Sequence, residues 1–280
     1  MEIKLQIPDY LSVKHWKRFV ASEHLGPTDK MVTMLSILTD KTEEEILTYK
    51  THELTQVYEA VLKSLTDLAP QFYPIFELDG VLYGFTSMSK MTLGEYVDLE
   101  RLANQPQENI EEIMAILYRP ITKNRLSGIK WAFKNKYKVA VGDAENLFKY
   151  YELEEYDSKD RAVNAKKLNV LPASLALGAL SFFFSSRKLV FDRFESLFPK
   201  QRATDGDDED DEQTDGFYEH WGWFATISHL ATTPILSITG DRAIPDLNFI
   251  LVLNYLSYEK DKTHRDERIR KSKERQYRIK

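Results

Sequence analysis

Three carboxylates, Glu95, Asp98 and Glu100, fall within six positions of MTLGEYVDLE (91–100). Carboxylates set this close are what acid–base hydrolysis uses, one kept protonated and one ionised by their surroundings. The local pattern gives these three a different task. Thr92 and Glu95 have the spacing of a capping box, in which each side chain satisfies a backbone N–H of the other at a helix start. Asp98 lies in the N-terminal half of that helix, where negative charge is favoured. Glu100 falls away from the apolar side formed by Leu93, Tyr96, Val97 and Leu102. All three are read as helix chemistry.

Other routes to catalysis are equally thin. The chain has no cysteine, so it has no disulfide framework, thiolate metal site or cysteine nucleophile. The nucleophile-elbow, phosphate-loop, dinucleotide and zinc-protease motifs are missing from the sequence. The six histidines are scattered. Glu219, His220 and His229, with Asp215 upstream, come closest to a ligand set, but histidines nine positions apart are not a helical i, i+4 pair. No catalytic residue, cofactor or metal site is expected. In GIKWAFKNKYK (128–138) lysines alternate with aromatics. A single-stranded nucleic acid could stack there from Lys130 to Lys138. The favoured reading is a helix end whose lysines snorkel while Trp131 and Phe133 pack inward.

At 280 residues, 42% hydrophobic and 29% charged, the chain has the composition of a folded protein with a sizeable core. Its charge is unevenly placed. ATDGDDEDDEQTDG (203–216) holds eight acids and no base, and removing them from the net charge of −6 leaves about +2 on the rest. The segment 259–280 has ten Lys or Arg against five acids. The opening MEIKLQIPDYL has no basic region followed by an apolar stretch, so a secretory signal is not expected. The apolar core of LPASLALGALSFFFSS (171–186) is shorter than the ~20 residues that span a bilayer and reads as a buried helix.

The expected elements follow from pattern. IKLQI (3–7) alternates as a short strand, and a helix starts near Ser12 with His15, Trp16 and Phe19 sharing one side. Thr42 and Glu45 form a capping box that opens a helix at 43, after one ending near Leu38. THELTQVYEAVLKSLTDL carries the i, i+3, i+4, i+7 stripe of a helix. IFELDGVLYGF (75–85) is a hairpin on Asp79-Gly80. NIEEIMAILYRP is a helix stopped by Pro120. Further helices are expected at 143–156, at 171–198, in the aromatic-rich stretch after the acidic run, and at 247–260.

The predicted fold is therefore mainly α (α+β), a helical bundle with a small antiparallel β element made of the N-terminal strand and the hairpin. Its expected organisation is an N-terminal helical domain over 1–160. A C-terminal helical region follows over 161–202 and 217–258, interrupted by the acidic loop 203–216, and a basic tail covers 259–280.

The order MVTMLSILTDKTEEEI, FELDGVLYGF, MTLGEYVDLE and ENIEEIMAILYRP, over about a third of the chain, is similar to a pattern in tailed-bacteriophage tail-assembly proteins of the baseplate-hub or tape-measure-chaperone kind. The resemblance is carried most by TLGEYVDLE and IMAILYRP. It implies a non-enzymatic factor in the host cytoplasm, or in the virion, that holds a helical tail or tape-measure protein in an apolar groove. The groove candidates are Tyr96, Ile113, Met114, Leu117, Phe182, Phe183 and Phe184. A permanent hub or connector subunit is the alternative, and nucleic-acid binding through the basic tail a further one. No membrane partner is expected.

Overall fold

A computed structural model of the chain describes residues 10–66, 69–124, 150–198, 223–233 and 243–278. The fold is mainly α with one small antiparallel sheet. It divides into two compact units, the first of Met1–Thr86 with Leu99–Phe184, the second of Ser87–Asp98 with Ser185–Lys280. The polar stretch 158–170 lies inside the first. The expected N-terminal strand (3–7), the lysine–aromatic stretch (128–138) and the acidic run (203–216) all lie outside the described residues.

The first unit opens with four helices: α1 Val13–Ala21, α2 Pro27–Thr39, α3 Glu43–Leu47 and α4 Thr51–Thr66. The Ser12 hydroxyl accepts from the N–H of His15 and caps α1. Asp40, in left-handed conformation at φ 52°, stops α2. Thr42 and Glu45 then complete the expected capping box, with Thr42 N–H to Glu45 Oε2 at 2.8 Å and Glu45 N–H to Thr42 Oγ1 at 3.2 Å. Helix α2 is gripped on two sides. Met34 and Leu38 pack with Leu11, Val61 and Ala173, while Met31, Val32 and Leu35 pack with Ile46 and Leu54.

The sheet follows in the order β1-β2-β3-β4. Strands β1 (Ile75–Leu78) and β2 (Val81–Phe85) form the predicted hairpin. Asp79 and Gly80 both have positive φ, 50° and 76°, as a type I′ turn requires. After α5 (Leu93–Ala103), helix α6 (Ile110–Leu117) runs directly into β3 (Tyr118–Asn124). Pro120 was expected only to stop a helix. Instead it sits inside a strand opposite Tyr83, because a residue before proline is driven to extended backbone and Ile121 and Thr122 continue that preference.

The helix expected over 143–156 is corrected for its described part. Tyr151–Leu153 is β4, paired antiparallel to β3. Lys123 and Glu152 meet across the pair at 2.9 Å, and the Tyr151 hydroxyl donates to Phe85 O at 2.6 Å. A strand this short takes its conformation from its partner rather than from its own pattern.

Helix α7 (Arg161–Leu168) packs on α6. Arg161 Nε donates to Glu112 Oε2 at 2.8 Å, and Lys17 of α1 pairs with Glu111. Helix α8 spans Ala173–Arg193, shorter than the expected 171–198 because its last residues, Phe194–Leu197, are turns. By length and composition α8 could cross a membrane. Within the first unit, however, Ala173, Ala176, Ala179 and Phe183 are buried. Gly178 lets the backbone of Gln71 cross close to the helix, and a Cβ there would collide with Gln71 backbone atoms. Phe182 stacks on Phe72 with ring centroids 3.8 Å apart and meets Phe85 edge-on.

The second unit contains the start of α5, the end of α8, α9 (Trp223–Ala231), a 3₁₀ turn (Ile244–Asp246) and α10 (Phe249–Arg278). Tyr96 stacks on Phe249 at 3.8 Å and meets Trp223 edge-on at 5.4 Å.

Each unit contains the same construction at a pair of helix starts. In the first, Val13 N–H donates to Leu171 O at 2.8 Å and Ala173 N–H to Leu11 O at 2.7 Å, so Ser12 and Pro172 pair as an antiparallel bridge. In the second, Leu93 N–H donates to Leu247 O at 2.7 Å and Phe249 N–H to Met91 O at 2.9 Å, pairing Thr92 with Asn248. The central residues are those just before each helix, where backbone is extended rather than helical. The residues flanking such a pair can therefore exchange hydrogen bonds as strands do, which satisfies N–H groups that helix starts leave orphaned.

Candidate functional site

Among the described elements, helix α10 is the one whose residues are least accounted for by the protein's own packing. Its start is fixed. Asn248 Oδ1 accepts from Leu251 N–H at 3.1 Å, and Asn248 Nδ2 donates to Ser89 O at 2.8 Å. Phe249, Val252, Leu253 and Tyr255 are buried. Ser257 then meets Ser196 at 3.1 Å, and Lys260 Nζ donates to Ser196 O at 2.7 Å. From Asp261 to Tyr277 every residue is exposed. The helix thus continues for more than four turns past its core contacts.

That exposed length is charged in an ordered way. Lys260, His264, Arg268, Lys271 and Arg275 recur at steps of four, four, three and four. At 3.6 residues per turn these steps keep them on one face. Glu259, Asp266, Glu267 and Glu274 gather on a neighbouring flank with Arg270 among them, and Asp261 lies at the opposite edge of the basic stripe. Arg270 and Glu274, both off the stripe, approach to 3.8 Å as an i, i+4 pair. By composition alone 259–280 is only a basic tail. The spacing was already in the sequence, but it becomes a stripe only if the segment is one continuous helix.

The residues predicted to line a partner groove are placed otherwise. Tyr96, Ile113, Met114 and Leu117 are fully buried, and Phe182 and Phe183 are nearly so. Only Phe184 is substantially exposed, at 37%. Tyr96 is spent on Phe249, and Phe182 on Phe72 and Phe85. The open groove expected from these seven residues is therefore corrected to core for six of them, with Phe184 the exception. An apolar stripe looks the same in sequence whether its partner is another element of the chain or another protein.

Of the carboxylates of 91–100, Glu95 completes the expected capping box with Thr92. Glu95 is buried, its Oε2 accepting from Thr92 N–H at 2.7 Å while its own N–H donates to Thr92 Oγ1 at 3.2 Å. Burial lifts the phenols of Tyr118 and Tyr151 well above their ordinary range. Both remain neutral donors, Tyr118 to Tyr73 O and Tyr151 to Phe85 O, and serve the sheet. His15 is pushed below its ordinary value, mainly by burial against which Asp40 acts. His229 is exposed in the last turn of α9, and His220 lies outside the described residues. Among the described residues no group of three or more His, Cys, Asp or Glu is placed to hold a metal ion.

No protein-family model, curated protein or solved structure matches this chain.

Proposed function

We propose that the chain is a non-enzymatic assembly factor of tailed-bacteriophage tails, acting through protein–protein contacts with a long helical tail protein. The observation that carries this reading is the exposed length of α10. A polar helix held at one end and surrounded by solvent gains little from its own chain, because helix stability in proteins comes mostly from packing. Its use lies in what it meets. The tail-assembly assignment rests in addition on the resemblance of TLGEYVDLE and IMAILYRP, which here open a helix and fill a core. The protein would act in the host cytoplasm before the tail is complete.

Quantitative mass spectrometry of the chain in purified virions and in infected-cell lysate tests the proposal. A transient factor is abundant in lysate, missing from particles, and co-purifies with a long helical tail protein. Truncation after Tyr258 removes the exposed helix and is expected to abolish that co-purification. A fixed copy number per particle would make the chain a permanent hub or connector subunit instead.

A further inference from the structure

Resting on that reading, we infer that the basic stripe of α10 is a docking face for an acidic helix of the partner protein. The stripe comprises Lys260, His264, Arg268, Lys271 and Arg275, and covers about 22 Å at a rise of 1.5 Å per residue. All five residues are exposed, and Lys260, at the base, is anchored to Ser196 O. A partner helix lying alongside repeats at the same pitch. Acids placed at steps of four, four, three and four on it face each stripe residue in turn, as charged flanks do in paired helices. Individual exposed ion pairs are weak, so selectivity comes from several held in one register.

The flank of Glu259, Asp266, Glu267 and Glu274 decides between occupants. A helix seated in a nucleic-acid groove has phosphates on both sides and would bring these carboxylates against them. A helix lying side by side touches one face only, and bases beside its acidic row would meet the flank favourably. The geometry therefore favours an acidic protein helix over nucleic acid.

Fluorescence anisotropy with the full chain tests this, using as probe a synthetic helical peptide with glutamates at steps of four, four, three and four. A 20-base-pair DNA duplex serves as the comparison. The triple variant Arg268→Glu, Lys271→Glu, Arg275→Glu is expected to weaken peptide binding about tenfold or more, as loss of several complementary pairs does. The triple variant Lys262→Glu, Arg265→Glu, Lys273→Glu changes the charge equally off the stripe, and is expected to cost less than about threefold. All six positions are exposed, so neither variant disturbs the core. Equal losses would overturn the inference, since net charge alone would then explain binding. Tighter binding of the duplex than of the peptide would overturn it in favour of nucleic acid. Replacing the eight acids of 203–216 by Asn and Gln is expected to leave peptide affinity unchanged. A gain of about tenfold would assign the stripe to the chain's own acidic run instead. Co-purification of the tail protein without peptide binding would sink the docking face and leave the assembly reading standing. Stripe-dependent peptide binding with no tail protein captured would do the reverse.

Discussion

The two helix-start bridges use one device toward different ends. In the first unit, Leu11–Val13 meets Leu171–Ala173, and α8 goes on to bury Ala176, Ala179, Phe182 and Phe183, with Phe182 against Phe85 of the sheet. In the second, Met91–Leu93 meets Leu247–Phe249, yet α10 leaves its contacts after Lys260 and runs on exposed. The same local solution to orphaned N–H groups therefore anchors a closed core in one unit and a projecting arm in the other. What differs is not the bridge but the apolar content of the helix beyond it. Helix α8 continues with ALGALSFFF, whereas α10 has the apolar FILVLNYLSY and then turns to EKDKTHRDER.

The largest effects should come from the aromatic hub of each unit. Tyr118→Ala and Tyr96→Ala each remove a fully buried ring and are expected to cost about 3–5 kcal/mol. Hydrogen exchange separates them. The first variant should speed exchange in β1–β3 and the second in the first two turns of α10. Uniform acceleration throughout the chain after either one would erase the distinction between the units.

Two glycines sharpen the comparison. Gly178→Ala puts a Cβ into the backbone of Gln71 and should destabilise the first unit by about 2–3 kcal/mol in urea unfolding. Gly94→Ala meets Pro245 at 3.2 Å, a tight contact set against the helix propensity that alanine gains. Its net effect should stay within about 1 kcal/mol. Comparable losses would mean that the second unit is packed as rigidly as the first.

The bridges themselves can be probed by proline. Val13 and Leu93 are the first residues of their helices, where proline is ordinarily well tolerated. Here each N–H is spent on the bridge. Val13→Pro and Leu93→Pro should each cost about 1–3 kcal/mol for an unsatisfied buried carbonyl, in addition to altered packing of the side chain. Thermal melts that matched those of the parent protein would show that the bridges contribute nothing.

The smallest effect concerns the capping boxes. The N–H of Thr42 holds the Glu45 carboxyl below its usual value, with the Thr42 side chain and Lys41 adding to the shift. A carboxyl lowered by folding contributes stability that is present above its unfolded value and is lost as pH falls through the depressed folded one. The opening of α3 should loosen only in acid, and Glu45→Gln should flatten that dependence. NMR titration of the Glu45 carboxyl checks the sign, and a midpoint above the ordinary glutamate value of 4.5 would contradict it.

Much of the local structure was legible because its causes are local. Capping pairs such as Thr42–Glu45 and Thr92–Glu95 act over three residues, and Asp79-Gly80 sets its own turn. The stripe in α4 was read from helical periodicity, and the run of α8 from its apolar content and length. The strand identity of Tyr151–Leu153 and the passage of Pro120 into β3 were not legible, because both depend on a partner distant along the chain. The candidate groove was misplaced for a related cause. The sequence identified Tyr96, Ile113, Met114, Leu117, Phe182 and Phe183 as apolar and correctly spaced, but only the folded chain supplies the surfaces that cover them.

By itself, then, the sequence determined where helices begin, where the hairpin turns and which faces are apolar, since hydrogen bonds and periodicity within a few residues decide those. Tertiary structure decided which faces became core, which strands completed the sheet, and that the charges of 259–277 lie along one continuous exposed helix. Those outcomes turn on burial and on pairing between distant segments, and no window of neighbouring residues contains that information.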